Sequence, residues 1–520
     1  MAHPDDSPLD TVSLLTTRLQ ALSAERLRGI RRGIEKESLR ALPGGALAHT
    51  PHPRALGSAL THPRVTTDFS ESQAELITGA HTSVAATLAE LGEIHQAVFR
   101  VLAADGGQER LWVSSMPCAL PDEHDIPIGQ YGTSNVGRVK TVYRTGLAHR
   151  YGRRMQTISG IHYNWSLPGT TSDEYFGLIR NFRRQSFLLL WLFGASPAVS
   201  KSFVDGLPHG LEPLGPNTLH LPYATSLRMG RLGYQSDAQS RLAVSYNGLA
   251  GYGGSLQAAL TYPYPPYKEI GLRDAQGHWK QLSTHLLQIE NEFYGTIRPK
   301  RTIHTGERPL HALRERGVEY VEVRCMDLNP FMDIGIDAST AHFLDVFLLH
   351  CLLSDSPPDT PDEIAALGRN QHLTAARGRE PGLKLERGGR ETTLVEWAAE
   401  IVDQCAPIAR TLDELHGGSA HRDALTAAQS ALTVPSTLPS ARVIETLQRE
   451  YAGEFVPFVD TRSGLAREHL LARPLPDADA PARWAAEAAE SLAEQARIEA
   501  AETRSFEDFL ADYLSPAKLG

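Results

Sequence analysis

The sequence predicts an α+β fold built on a largely antiparallel sheet and followed by a helical carboxyl-terminal part. Three observations carry this. From Gly33 to about Asn329, short strand-like runs alternate with Gly/Pro turns, without the βαβ rhythm that a parallel doubly wound sheet imposes. After about Asp337, apolar residues recur at helical spacing. The chain has 520 residues, of which 41% are apolar and 22% charged, so it is long and apolar enough to bury a large core.

The elements follow in order. Thr11 to Arg32 sets Val12, Leu15, Leu19 and Leu22 on one helical face, so an amphipathic helix opens the chain with Arg26, Arg28, Arg31 and Arg32 on its solvated side. Gly33 to Leu39 reads as a strand. In Thr66 to Leu76, Asp68 and Glu71 have the spacing of an N-cap and its capping-box partner, with Glu75 on the same helical face. Met155 to Ser166 alternates: Gln156, His162, Asn164 and Ser166 share one face, and Ile161, Tyr163 and Trp165 take the other. Phe187 to Ala195 is too short to span a bilayer, and Phe343 to Leu353 is interrupted by Asp345 and His350, so both read as buried core helices. Gly317 to Arg324 is a strand with Tyr320, Glu322 and Arg324 opposite Val321 and Val323. Ser354 to Gly389 reads as connecting loops and Leu475 to Ala482 as a linker. Helices are expected over Ala341 to Leu353, Leu394 to Leu415, Ser440 to Tyr451 and Ala480 to Thr503. The expected division is a core over residues 1–375 and a helical extension over 376–520 packed on it.

Composition excludes several partners. With 61 acidic against 51 basic residues the net charge is −10, so no global positive field exists to hold nucleic acid or an anionic membrane. Cys118, Cys325, Cys351 and Cys405 are too scattered for a disulfide framework or a CxxC motif. The amino end carries Asp5, Asp6 and Asp10 with no basic flank or apolar run, which is unlike a secretory signal. A reducing, cytoplasmic setting is expected. Gly132 to Arg138 has glycines at phosphate-loop spacing, but arginine replaces the required lysine. There is no HExxH zinc pair and no GxSxG elbow.

Several clusters could carry chemistry. On a strand, Glu35 and Glu37 stand about 6.6 Å apart and repel by roughly 2–3 kcal/mol at an effective dielectric of about 20. The pair therefore wants a cation, a proton or open water; an exposed strand face and an oxygen-rich magnesium site both satisfy it. Capping accounts for Asp68 and Glu71 but leaves Glu75 for water or metal. His162 among hydrogen-bonding neighbours suits the floor of a metal-binding cleft, although a lone histidine is more often structural. Glu322 and Arg324 form either a surface pair or a metal-and-phosphate grip. Arginines beside tyrosines in Tyr223 to Tyr234 and Gln288 to Arg301 suit an amino-acid substrate, or simple packing.

Taken together, RGIEKESLR (Arg32 to Arg40), ALGSALTHPRVTTDFSESQAELIT (Ala55 to Thr78), QYGTSNVGR (Gln130 to Arg138), MQTISGIHYNWSLP (Met155 to Pro168), LFGASPA (Leu192 to Ala198), YATSLRMGRLGY (Tyr223 to Tyr234), QIENEFYGTIRPKR (Gln288 to Arg301) and VEYVEVRCMDLNPF (Val318 to Phe331) closely resemble the bacterial glutamate-cysteine ligase family. The resemblance runs from about Leu19 to Asp337 and weakly through the helical tail. Trp165 stands where phenylalanine is usual and Ala74 where a larger aliphatic residue is, both of them packing changes.

The resemblance implies a fold similar to glutamine synthetase and guanidino kinases, a curved antiparallel sheet lining a funnel with helices outside. It implies the first step of glutathione synthesis: ATP phosphorylates the γ-carboxylate of L-glutamate, and the amine of L-cysteine attacks the acyl phosphate. By the same likeness Glu35, Glu37, Glu75, His162 and Glu322, with Asp68, would bind two or three Mg²⁺ ions, for which Mn²⁺ can substitute. Arg324 would reach the γ-phosphate, with Arg144 and Arg298 as further phosphate contacts. Arg228 would steady the tetrahedral intermediate or the cysteine carboxylate. Phe69, Tyr143, Tyr234 and Tyr294 would form the cysteine pocket, and Gln156 would help hold the glutamate. Feedback inhibition by glutathione and a monomer or weak oligomer are the further expectations. The alternatives are a ligase of this fold with another amine acceptor, and a non-catalytic metal-binding scaffold. Convergence of Glu35, Glu37, Glu322 and Arg324 on one cleft separates the enzyme from the scaffold.

Overall fold

The structure is a computed structural model that describes residues 8–232, 242, 244–304 and 306–520. Its central sheet is antiparallel throughout and contains Arg31–Ala41 (β1), Val65–Thr67 (β2), Gln73–Ile77 (β3), Arg110–Leu111 (β4) and Ile161–Ser166 (β5). A small three-stranded sheet follows, made of Ala198–Ser200 (β6), Glu212–Gly215 (β7) and Thr218–His220 (β8). Ile297–Lys300 (β9) and Tyr320–Met326 (β10) return to the central sheet, whose order is β2-β3-β1-β5-β10-β9 with β4 paired to one end of β1. The expected antiparallel α+β architecture is what forms.

Register decides which side chains meet. Glu35 stands opposite His162, Glu37 opposite Glu75, and Glu322 opposite both Asn164 and Arg298. Because side chains alternate along a strand, these residues share one face across five strands. The other face carries Ile34, Leu76, Ile161, Tyr163, Trp165, Val321 and Val323, all buried. It packs on the Val84–Leu102, Ser172–Gln185 and Ala338–Leu353 helices in one continuous core. Tyr163 and Trp165 thus fill the apolar side while His162 and Asn164 face the opposite way.

Four local expectations are corrected. Thr66 to Leu76 is no helix: β2 and β3 form a tight hairpin in which the Asp68 N–H donates to Gln73 O and the Gln73 N–H to Ser70 O. The Glu71 carboxylate instead accepts the backbone N–H groups of His52 and Gln130, each at 2.8 Å. The opening helix ends at Gln20, and Arg32 is not on a solvated face but is buried against Asp345 at 2.8 Å. That pair, with the Tyr163 hydroxyl donating to Asp345 at 3.0 Å, explains how an aspartate sits inside an otherwise apolar core helix. Ser354 to Gly389 contains the Pro361–Arg377 helix and a hairpin of Lys384–Arg387 (β11) and Arg390–Thr393 (β12). Leu394 to Leu415 breaks at Cys405 into two helices, the second with proline in its first turn. No helix among the described residues is long and apolar enough to cross a membrane.

A second charge on the core face of β1 has no carboxylate partner there among the described residues. Lys36 is fully buried on the core face, where its ammonium donates to Ser38 Oγ and His95 Nε2, both at 2.9 Å. Burial pushes its pKa down to about 7. An unfolded lysine titrates near 10.4, so between about pH 7 and pH 10 the unfolded chain binds more protons and this group's contribution to stability rises with pH. Lys36→Met is therefore expected to stabilise the protein at pH 7. Its advantage over the wild type should shrink by up to about 1.4 kcal/mol per pH unit on raising the pH toward 9. Urea unfolding of both proteins at pH 7, 8 and 9 checks this, and a pH-independent difference contradicts it.

Candidate active site

The polar face of the sheet floors a cavity of about 400 Å³. Its acidic wall is built by strand period together with the register between strands. Glu35 Oε2 lies 3.2 Å from His162 Nδ1, and Glu35 Oε1 accepts the Asn164 amide at 2.9 Å. Glu37 Oε2 accepts the Gly160 N–H at 2.6 Å, and its Oε1 is 3.8 Å from His162 Nε2. Glu322 is a hub: it accepts Lys300 Nζ at 3.2 Å and Arg324 at 3.1 Å, with Arg298 at 3.8 Å and His162 Nδ1 at 3.9 Å. Ligand atoms of Glu35, Glu75 and His162 lie within 4.8 Å of one another.

The electrostatics divide this wall in two. Burial opposes ionisation of Glu322, but Lys300 and Arg324 hold its carboxyl well below the ordinary value. On the other side, burial and Asp68 push Glu37 up to about 8. Burial, Asp68, Glu35 and Glu37 raise Glu75 still more clearly. Burial and Arg324 lower His162, which keeps its imidazole neutral and able to offer a lone pair. Among the described residues no hydrogen bond reaches the Glu75 carboxylate. A buried set of carboxylate oxygens and one neutral imidazole, crowded enough to raise Glu37 and Glu75, fits Mg²⁺ or Mn²⁺. Glu75→Gln is accordingly expected to raise the melting temperature of the metal-free protein, because the glutamine need not take up a proton to be buried beside Asp68, Glu35 and Glu37, and to shrink the further rise that Mg²⁺ produces. Differential scanning fluorimetry with and without Mg²⁺ checks both signs; a fall in metal-free stability contradicts the first.

The opposing wall is basic and aromatic. The Asn135–Tyr151 helix, N-capped by Ser134, presents Lys140, Tyr143 and Arg144 to the cavity. Arg144 donates to the carbonyls of Asp68 and Lys140 and lies 4.5 Å over the Tyr131 ring. Burial and Arg144 lower Lys140 to about 8. Arg298 is anchored by the carbonyls of Asn291 and Phe293. Phe69 and Gln156 also line the cavity, and the Tyr294 hydroxyl donates to Gln156 Oε1 at 3.1 Å.

Arg228 stands behind Arg324, lining an adjoining hollow of about 150 Å³ with Tyr294 and Arg324. Its guanidinium donates to Arg324 O at 2.6 Å and Met326 O at 3.3 Å and lies 3.7 Å from Asp327. A Cβ at position 160 would sit 2.1 Å from Arg228 Nη2, so glycine there lets one residue touch Arg228 and bond Glu37. The four cysteines are buried and free, and burial raises Cys325 to about 12.

Thus Glu35, Glu37, Asp68, Glu75, His162, Glu322, Arg324, Arg144, Arg298, Phe69, Tyr143, Gln156 and Tyr294 all line one cavity. This convergence excludes four separate surface pairs. Tyr234 lies outside the described residues. The sequence reading passed over Lys300, two positions along β9 from Arg298 and hence on the same face, and Lys140, one helical turn before Arg144. Phe509 and Tyr513, which also line the cavity, come from the Phe506–Tyr513 helix near the end of the chain, where no local pattern announces them.

Comparison with known proteins agrees in extent as well as in kind. The sequence profile of the family described as glutamate-cysteine ligase matches residues 16–171 and 168–374. A glutamate-cysteine ligase of Pseudomonas entomophila is 49% identical over 96% of this chain and 97% of its own length. One of Azotobacter vinelandii is 50% identical over 94% of each. The crystal structure of the Francisella tularensis glutamate-cysteine ligase in complex with AMP superposes with a TM-score of 0.89 at 36% identity, covering 94% of this chain and 98% of that one. A bifunctional glutathione synthetase of Pasteurella multocida shares the fold, with a TM-score of 0.68 at 24% identity over 89% of this chain and 55% of that one.

Proposed function

The chain belongs to the glutamate-cysteine ligase family, and from that premise we propose how its own residues carry out the reaction. The enzyme joins L-cysteine to the γ-carboxylate of L-glutamate at the expense of ATP, the first step of glutathione synthesis. The observation that carries the residue-level reading is the convergence of carboxylates, one imidazole and several cationic side chains on a single cavity.

Three anions must meet: the ATP polyphosphate, the glutamate γ-carboxylate and the phosphoryl group in flight. Glu35, Glu37, Glu75, His162 and Glu322, with Asp68 alongside, would hold Mg²⁺ or Mn²⁺, which would supply the screening that lets these anions approach. The number of ions is two or three. Arg324 grips the γ-phosphate in a bidentate fashion that a point charge cannot reproduce, and Arg144 and Arg298 hold the remaining phosphate oxygens. Gln156, positioned by the Tyr294 hydroxyl, orients the glutamate. Phe69, Tyr143 and Tyr294 enclose the cysteine side chain. Arg228, through its adjoining hollow, meets the carboxylate of the acceptor or the tetrahedral centre formed on attack.

The phosphoryl group leaves ATP for the γ-carboxylate, giving an acyl phosphate and ADP. The cysteine amine then attacks the acyl carbon, loses its protons to phosphate oxygens and expels inorganic phosphate. Water would hydrolyse the acyl phosphate, so the aromatic side chains and the carboxyl-terminal Phe509 and Tyr513 act as a dry cover. Feedback inhibition by glutathione, a monomeric or weakly associating state and a cytoplasmic setting belong to the same reading. Purified protein given ATP, Mg²⁺ and L-glutamate should release ADP stoichiometrically with γ-glutamylcysteine once L-cysteine is added. Equal turnover with another amine would move the acceptor assignment, and no cysteine-dependent dipeptide would overturn it.

A further inference from the structure

A second cluster of ligating side chains lies on the far side of the sheet. His342 and Asp345 stand on the Ala338–Leu353 helix and His421 on the Ala420–Thr433 helix, and one donor atom of each lies within 4.8 Å of the others. His342 Nδ1 faces His421 Nε2 at 3.3 Å. Two imidazole nitrogens on a tetrahedral Zn²⁺, each about 2.0–2.1 Å from the ion, stand roughly 3.3–3.4 Å apart. The two rings therefore already hold the separation that the ion requires.

The surroundings are those of an oriented ligand set. His421 Nδ1 is bonded to Asp413 Oδ1 at 2.9 Å, which turns Nε2 toward His342 in the carboxylate–histidine–metal arrangement. Asp345 takes Arg32 and the Tyr163 hydroxyl on three of its acceptor positions. A carboxylate has about four such positions, so one remains. Asp345 and His421 are buried, so the donors would surrender little water on binding. Arg32 belongs to the core face of β1, the strand that carries Glu35 and Glu37 on its other side.

We propose that His342, His421 and Asp345 form a structural Zn²⁺ site, with Asp413 orienting His421 and water completing the tetrahedron. The ion fastens the helices of the carboxyl-terminal half to the helix that anchors β1. The set has two nitrogens and one oxygen, which suits zinc over magnesium. The contrary reading is a single proton shared between His342 and His421 with no metal.

The test uses the full chain with His162→Ala, which removes the active-site imidazole, stripped of metal and titrated with Zn²⁺ against a competing chelator in millimolar Mg²⁺. One equivalent should bind more tightly than about 10 μM. His342→Gln or His421→Gln in this background should weaken it at least a hundredfold, and Asp413→Asn about tenfold. Zinc-edge X-ray absorption should find two imidazole nitrogens. Absence of binding in the His162→Ala chain overturns the proposal whatever the second substitutions do to folding. So does bound zinc with an oxygen-only environment, or affinity unchanged by His421→Gln.

Discussion

Glu322→Gln is expected to lower turnover by about a thousandfold or more at saturating Mg²⁺ while leaving the protein folded. The substitution preserves shape and removes one charge. That charge is where Lys300, Arg324 and Arg298 converge, and it faces His162. Activity loses on two counts. The acidic wall gives up a carboxylate that Lys300 and Arg324 hold ionised, and Arg324 loses a partner that helps aim it. Removing a single preorganised electrostatic partner typically costs about 10²–10³ in turnover, and here two effects compound. Breaking a fully buried ion pair can destabilise by about 3–5 kcal/mol. Lys300 and Arg324 are 27% and 19% exposed, so both can turn toward water, and the cost should fall nearer 1–3 kcal/mol. Steady-state rates over a Mg²⁺ series, beside circular dichroism melts, measure both quantities. Turnover within tenfold of the wild type would remove Glu322 from the machinery.

Arg228→Lys is expected to lower kcat/KM for cysteine about a hundredfold, with the larger share in turnover and a smaller one in the Michaelis constant. The reason lies in a break of register. Strand β10 shifts against β5 between Val323 and Met326, so at Arg324 the ladder with β5 is interrupted. The Arg228 guanidinium accepts that role with two N–H groups, reaching Arg324 O and Met326 O together. A lysine ammonium at the end of a shorter head cannot span both carbonyls. The Arg324 side chain would then lose the backbone that positions it. Asp327 keeps its bonds from Ser196, Ser226 and the Ala195 N–H, so global unfolding is not expected. Unchanged kinetics in Arg228→Lys would show that neither the bulge nor the substrate depends on the fork.

Much of the site is legible in the sequence because a strand has period two. Glu35 with Glu37, His162 with Asn164 and Glu322 with Arg324 each announce a shared face within a few residues. Where the same residue types fit two periods, local reading fails. Asp68 and Glu71 satisfy a helix cap as well as a hairpin turn, and the pairing of β2 with β3 decides between them. Likewise Arg32 looks like one of a run of solvated arginines until Asp345, more than three hundred positions later, buries it.

By itself, then, the sequence determined the antiparallel α+β class, the strand faces and the family, since these depend on patterns within a segment and on their order along the chain. Only the tertiary structure decided that β3, β1, β5, β10 and β9 align in a register that brings Glu75, Glu37, Glu35, His162, Glu322 and Lys300 to one floor. The tertiary structure likewise decided that the Phe506–Tyr513 helix brings Phe509 and Tyr513 to the cavity, and that Lys36 and Asp345 lie in the core. Register and burial come from contacts between residues far apart along the chain, whose free energy no local window contains.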